Sequence, residues 1–263
     1  MSQTILLGPD LPPPDLSQAR RHDWGWSLRL DQSEPPGSAA FADRGTVVGP
    51  LVTEHPGLLV MDVDATFVQG ESIDLLAELA GAGPAVAAIT ERAMNGELDF
   101  AEALAERVAT LAGLPEAALA EVRHALQTTP GGAELVAAMH AVGAKVGLVS
   151  GGFTAIVGPL AEQAGIDFVA ANQLEVVDAR LTGRTVGPIV DRAAKADHLR
   201  DFARRSDTDL ERTVAIGDGA NDLDMLAAAG LGIAFCAKPV TAAQADATIS
   251  FARLDAALGY LAV

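Results

Sequence analysis

The chain has 263 residues, 49% of them hydrophobic, enough to bury the core of one large α/β domain or of a domain with a smaller companion. Its 18 Lys and Arg stand against 35 Asp and Glu, a formal charge of −17, which argues against a nucleic-acid footprint and against an anionic membrane surface as partner. An anionic ligand would have to be met by a local group of cations, a metal or backbone N–H groups.

Residues 1–56 hold eight of the 14 prolines and both tryptophans, Trp24 and Trp26, with little sustained periodicity. They read as a proline-rich N-terminal extension of irregular structure. The start, MSQTILLGPDLPPPD, has no basic leader and only a short apolar run, and no later run reaches membrane-spanning length. The expectation is a cytoplasmic protein. Cys236 is the one cysteine, so no intrachain disulfide forms, and its neighbours Ala234, Phe235 and Ala237 predict a buried thiol.

From residue 57 the pattern changes. Short β-like runs, GLLVMD, KVGLVSGG, TVAIGDG and GLGIAFC, recur between long Ala/Leu/Glu stretches of helical character. This alternation predicts an α/β fold: a Rossmann-like parallel sheet flanked by helices. Each run leads into Asp, Gly or Ser at its C-terminal end, the edge at which open α/β sheets bind ligands. Some 80 residues separate the first two runs, far more than one crossover helix needs. We therefore expect a catalytic core of 57–70 and 129–263, interrupted by a helical cap at 71–128. A second insertion, NQLEVVDARLTGRTVG, alternates like two strands around Asp178 and Ala179 and predicts a small β-hairpin.

Asp62 and Asp64 end the first run one residue apart. If the strand continues through them, both carboxylates face one site and need a cation or a shared proton. One can bind metal and attack while the other moves protons. Alone, such a pair reads more readily as a solvated turn. Ser150, Gly151 and Gly152 follow the second run and precede a helix, so they suit an anion cradle or a plain glycine-rich helix start. Asp218, Asn221 and Asp222 follow the third run, among glycines that permit close approach to an ion or phosphate. Lys195, on a helix rich in charge, reads in isolation as a solvated lysine.

Together DVDAT…QGESID, ERAMNGELDFAEALAERVATL, VSGGFT, ANQLEVVDARLTG, AAKADHL and TVAIGDGANDLDMLAAAGLGIAFCAKP resemble, in order and spacing, the haloacid dehalogenase superfamily of phosphohydrolases. Within it the chain, from about residue 57 to 263, is similar to the phosphoserine phosphatase family. Ala65 stands where relatives often carry Ser or Gly, and Phe67 replaces a more usual aliphatic residue; neither removes a reactive group. The extension looks too short for the regulatory ligand-binding domain of some relatives.

The resemblance implies a Mg2+-dependent hydrolase that turns O-phosphoserine into serine and phosphate, the last step of serine biosynthesis. It implies Asp62 as the nucleophile forming an aspartyl-phosphate and Asp64 as proton donor and acceptor. Mg2+ would be held by Asp62, the Asp64 backbone carbonyl and Asp218. Ser150, Gly151, Lys195 and Asn221 would bind phosphate, with Thr66, Gly152 and Asp222 in support. Glu71 and Arg107 would take the substrate ammonium and carboxylate, with Met94 and Phe100 as the apolar wall. Read without the resemblance, Glu71 is a first-turn glutamate and Arg107 an exposed helical arginine. His22, His55, His124, His140 and His198 are scattered without metal-ligand spacing. Two alternatives stay open: a phosphatase or phosphotransferase acting on another small phosphomonoester, and a phospho-accepting signalling receiver. The receiver leaves the helical insertion and the second carboxylate unexplained.

Overall fold

The computed structural model describes residues 1–10, 18–30 and 43–263, and for Met94 the backbone only. The N-terminal extension supplies β1 (Ser2–Gly8), β2 (Arg20–His22), β3 (Gly25–Leu30) and β4 (Asp43–Val48). Strand β5 (Leu58–Met61) follows, then the two-residue β6 (Val68–Gln69). Four helices come next: α1 (Ser72–Leu79), α2 (Gly83–Met94), α3 (Phe100–Ala109) and α4 (Ala117–Ala125). After β7 (Gln127–Thr128) the chain alternates: α5 (Gly132–Ala141), β8 (Lys145–Phe153), α6 (Thr154–Ala164), β9 (Phe168–Val177), β10 (Arg180–Val186) and α7 (Arg192–Arg205). It ends with β11 (Thr213–Gly217), α8 (Leu223–Ala228), β12 (Leu231–Phe235), α9 (Pro239–Ala242), β13 (Ala247–Ile249) and a 3-10 turn at Leu254–Tyr260.

One sheet runs in the order β10-β9-β8-β5-β11-β12-β13-β4-β1-β3-β2. The pairs from β9 to β13 are parallel. Strands β5, β11 and β12 are buried at every residue, as continuous apolar runs covered on both faces must be. Strand β5 lies between β8 and β11, so the strand order reverses around it and opens a crevice at the C-terminal ends of these strands. The α/β reading of the sequence therefore stands. The predicted hairpin is also present: Val177 pairs with Arg180 across Asp178 (φ 49°) and Ala179 (φ 55°), two left-handed residues in a tight turn.

Helices α1 to α4 lie between β6 and β7, which pair antiparallel through Val68–Thr128 and Gln69–Gln127 and so bring the two ends of the insertion together. Helix α3 is started by a capping box: Glu102 donates its N–H to Asp99 Oδ1 at 2.8 Å, and Asp99 N–H returns to Glu102 Oε2 at 2.9 Å. That cap fixes the start of the helix that carries Phe100 and Arg107.

Two expectations are corrected. The extension is not irregular in its described residues: β4 joins the core sheet beside β13, and β1 and β3 continue it. Ile5, Leu7, Trp24, Val47 and Leu51 pack in the main core with Leu254 and Tyr260, and none of the described strands of the extension contains a proline. Strands β1 and β3 bury consecutive residues and so carry no period-2 signal, and only the short β4 alternates. Cys236 is exposed, because β12 ends at Phe235 and the chain turns out of the sheet at a left-handed φ of 47°. Among the described residues no helix is long and apolar enough to cross a membrane.

Candidate active site

A cleft of about 330 Å³ opens at the crevice beside β5, with the helical insertion as its other wall. It gathers Asp62, Asp64, Glu71, Phe100, Arg107, Gly151, Gly152, Asp218 and Asn221 from five separate stretches of chain. Strand β5 stops at Met61, one residue before Asp62, so strand alternation is not what aligns the carboxylates. A wide turn over Val63–Phe67 does so, with Ala65 in the left-handed region at φ 54° and its N–H bonded to Gly70 O at 3.0 Å. Thr66 is fully buried within this turn, and its hydroxyl has no hydrogen-bond partner among the described residues.

Lys195 is not solvated. It is fully buried on α7, and its Nζ contacts Asp62 Oδ1 at 2.7 Å and Asp222 Oδ1 at 2.6 Å. Burial pulls the ammonium pKa down, but Asp222 and Asp62 outweigh it and hold the pKa above the ordinary lysine value. Burial and Asp222 push the Asp62 carboxyl up, with Lys195 opposing. Asp222 is fixed from both sides: its second oxygen accepts Gly219 N–H at 3.0 Å. The backbone also leaves no spare space there, since a Cβ at Gly217 would lie 2.4 Å from Asp222 Cγ.

Asp64 points elsewhere. Its Oδ1 accepts Ser72 N–H at 2.8 Å, and its Oδ2 lies 3.3 Å from Ser72 Oγ and 3.5 Å from Ser150 Oγ. Burial raises the Asp64 pKa, and the Ser72 bonds offset part of that rise. Ser150 Oγ is itself fixed by Gly152 N–H at 2.8 Å. A Cβ on Gly152 would sit 2.7 Å from Asp64 Oδ2, so that position needs glycine for close approach, while one on Gly151 would meet the tip of the Phe100 ring at 2.9 Å.

The cap side of the cleft carries Glu71 and Arg107. Burial, then Asp64, Asp218 and Asp74, raise the Glu71 pKa to about 7, while Arg107 works against them. Burial lowers the Arg107 pKa, opposed by Glu71, Asp74 and Asp64. Among the described residues Arg107 donates Nε–H only to Ala103 O, at 3.3 Å. One acid and one base thus share a partly desolvated space beneath Phe100 and Leu104. Met94 lies on α2, and its side chain falls outside the described residues. Ser72, Leu104, Lys238 and Val240 also line or frame the cleft and were not singled out from sequence. A signal existed for Lys238, which follows the C-terminal end of β12, the sheet edge where ligands gather.

The carboxylates of Asp62, Asp218 and Asp222 offer oxygens within 4.8 Å of one another. Both Asp222 oxygens are taken by Lys195 and Gly219 N–H. Asp62 keeps its Oδ2, and burial and Asp222 raise the Asp218 pKa to about 6. An all-oxygen set of this kind fits a hard divalent metal.

A family model described as haloacid dehalogenase-like hydrolase matches residues 59–227. A Mycobacterium tuberculosis protein named phosphoserine phosphatase SerB2 is 56% identical over 206 residues, covering 78% of this chain and 50% of that protein. This chain thus spans about half the length of that relative. A Streptococcus thermophilus phosphoserine phosphatase is 55% identical over 199 residues, 76% of this chain and 93% of its own. A solved structure described as a phospho-aspartyl intermediate analogue of phosphoserine phosphatase superposes with a TM-score of 0.74 at 38% identity, over 79% of this chain and all of that one.

Proposed function

The chain belongs to the haloacid dehalogenase-like hydrolases, and on that premise we propose that it hydrolyses O-phosphoserine to serine and phosphate through an aspartyl-phosphate on Asp62. The observation that carries the substrate is the presence of both Glu71 and Arg107 in the cleft that holds Asp62, whose carboxylate Lys195 contacts from its buried side. A phosphomonoester alone needs only Asp62 and Lys195. An amino acid esterified to phosphate needs an anion for its ammonium and a cation for its carboxylate as well. The names of the relatives point the same way.

In this reading an Asp62 carboxylate oxygen attacks phosphorus in line with the seryl oxygen, the P–O bond to serine breaks, and Asp64 supplies the proton that the departing oxygen takes. Water then attacks phosphorus, Asp64 takes its proton, and the bond to Asp62 breaks to release phosphate. Ser150, Gly151, Lys195 and Asn221 hold the phosphoryl oxygens, and Gly152, Thr66 and Asp222 hold those groups in place. Phase one needs Asp64 protonated, which its burial favours. Mg2+ held by Asp62, Asp218 and the Asp64 carbonyl would neutralise charge on the phosphoryl oxygens. Residues 71–128 act as the cap that selects the substrate and excludes water, with Met94 and Phe100 as its apolar wall. A cytoplasmic location and a place at the end of serine biosynthesis belong to the same proposal. Membership of the hydrolase family removes the receiver alternative.

The test is phosphate release from a panel of phosphorylated amino acids and sugars, with and without EDTA. Phosphoserine leads the panel and EDTA abolishes its turnover. A sugar phosphate turned over better than phosphoserine would defeat the substrate assignment. Asp62→Asn should abolish turnover and capture of a beryllium fluoride phosphate mimic while leaving the fold intact.

A further inference from the structure

The cleft presents four carboxyl groups, Asp62, Asp64, Glu71 and Asp218, against two cationic side chains, Arg107 and Lys238. They lie within a chain whose formal charge is −17 in all. An incoming phosphate ester is itself an anion, so it approaches against the charge of the protein. Lys195 does little at this stage, because it is fully buried and its charge is shared between Asp62 and Asp222.

Lys238 stands differently. Its backbone is pinned: Cys236 N–H bonds Ile249 O at 2.7 Å, and Lys238 O accepts the N–H groups of Thr241 at 2.9 Å and Ala242 at 3.0 Å. The left-handed residue Cys236 turns the chain out of β12 so that Lys238 stands on the rim, at the start of α9. Its side chain is exposed and makes no hydrogen bond or ion pair with any described residue. A fixed backbone with a free, uncompensated ammonium at the mouth of an acidic cleft is the arrangement that focuses field on an entering anion.

We propose that Lys238 is the capture residue for the anionic substrate: it offsets the acidic field at the cleft mouth and raises the rate and affinity with which a phosphate ester enters. The proposal rests on the reading of the cleft as a phosphomonoester site but not on serine as the alcohol. Lys238 touches no reacting atom, so its effect belongs in KM and is screened by salt.

The test uses Lys238→Gln, Lys238→Glu and Lys238→Arg in the full, Mg2+-loaded chain, with phosphoserine and an aryl phosphate as substrates, at ionic strengths from about 0.02 M to about 0.5 M. At low salt, Lys238→Gln should lose about three- to tenfold in kcat/KM, carried by KM, and Lys238→Glu more; Lys238→Arg should stay near the parent. At high salt the curves should converge. Affinity for inorganic phosphate, measured by calorimetry, should follow the same pattern without any turnover. Losses that are equal at every ionic strength, losses carried by kcat, or no loss at low salt would each overturn the proposal. If phosphoserine is not a substrate but the aryl phosphate is, the amino-acid reading falls while the salt test of Lys238 still stands.

Discussion

Ser72, the first residue of α1, donates its backbone N–H to Asp64 Oδ1 at 2.8 Å and holds its hydroxyl 3.3 Å from Oδ2. The first turn of the helical insertion is thus fastened to the carboxyl group that, in the proposed reaction, moves the proton. Ser72→Ala removes the hydroxyl and leaves the N–H. Losing one such contact costs about 1 kcal/mol, roughly fivefold in rate. That loss should fall on phosphoserine, whose alkoxide needs a proton, and spare an aryl phosphate in phospho-enzyme formation. Ser72→Thr should recover the rate. Single-turnover measurements with both substrates decide it, and equal losses would mean that Ser72 supports the fold alone.

Lys195 gives a prediction for stability. Removing it leaves Asp62 and Asp222 buried side by side without their shared cation. Breaking a buried pair from one side costs about 3–5 kcal/mol. Lys195→Met should therefore lower the denaturation midpoint strongly, and part of the loss should return at acid pH, where either carboxyl group can take up a proton. An unchanged midpoint near neutral pH would show that water enters and solvates the two carboxylates.

Part of this site is legible in the sequence because several of its residues end a β-run, and the C-terminal edge of a parallel sheet is a place that periodicity alone identifies. Asp62, Ser150 and Asp218 are found that way. Lys195 is not, because its partners Asp62 and Asp222 are remote in sequence and a helix among Asp and Arg residues looks solvated until the fold brings it against β5. Ser72 escaped because a serine at a helix start is ordinary, and only the turn at Val63–Phe67 brings Asp64 to it. Strands β1, β3 and β4 escaped because the first two bury consecutive residues and only the short β4 alternates.

Arg107 tests the substrate. It has no carboxylate within ion-pair distance among the described residues and donates only to Ala103 O, so a ligand carboxylate has no strong competitor for it. Arg107→Ala should cost about 1.5–3 kcal/mol in binding, or on the order of ten- to a hundredfold in kcat/KM for phosphoserine. An aryl phosphate without a carboxylate should be nearly unaffected. The ratio of the two specificity constants is the measurement. If both constants fall together, Arg107 supports the cap or the phosphate site and the amino-acid substrate loses its main physical argument.

Glu71 adds a pH dependence with a definite sign. Burial, together with the charges of Asp64, Asp218 and Asp74, raises its pKa to about 7, so the group is a neutral acid below that pH and a carboxylate above it. Only the carboxylate attracts an ammonium. Preference for phosphoserine over an aryl phosphate should therefore rise with pH through the titration of Glu71 and level off once the group is ionised. Using the ratio of specificity constants cancels the ionisation of the phosphate, which both substrates share. A divalent metal near Asp62 and Asp218 offsets part of the negative charge that raises the Glu71 pKa, so the midpoint in the Mg2+-loaded enzyme should lie below 7. Glu71→Gln carries no titrating charge, and its ratio should be low and flat across the same range. A flat ratio in the parent, or a pH-dependent ratio that persists in Glu71→Gln, would assign the ammonium to another group.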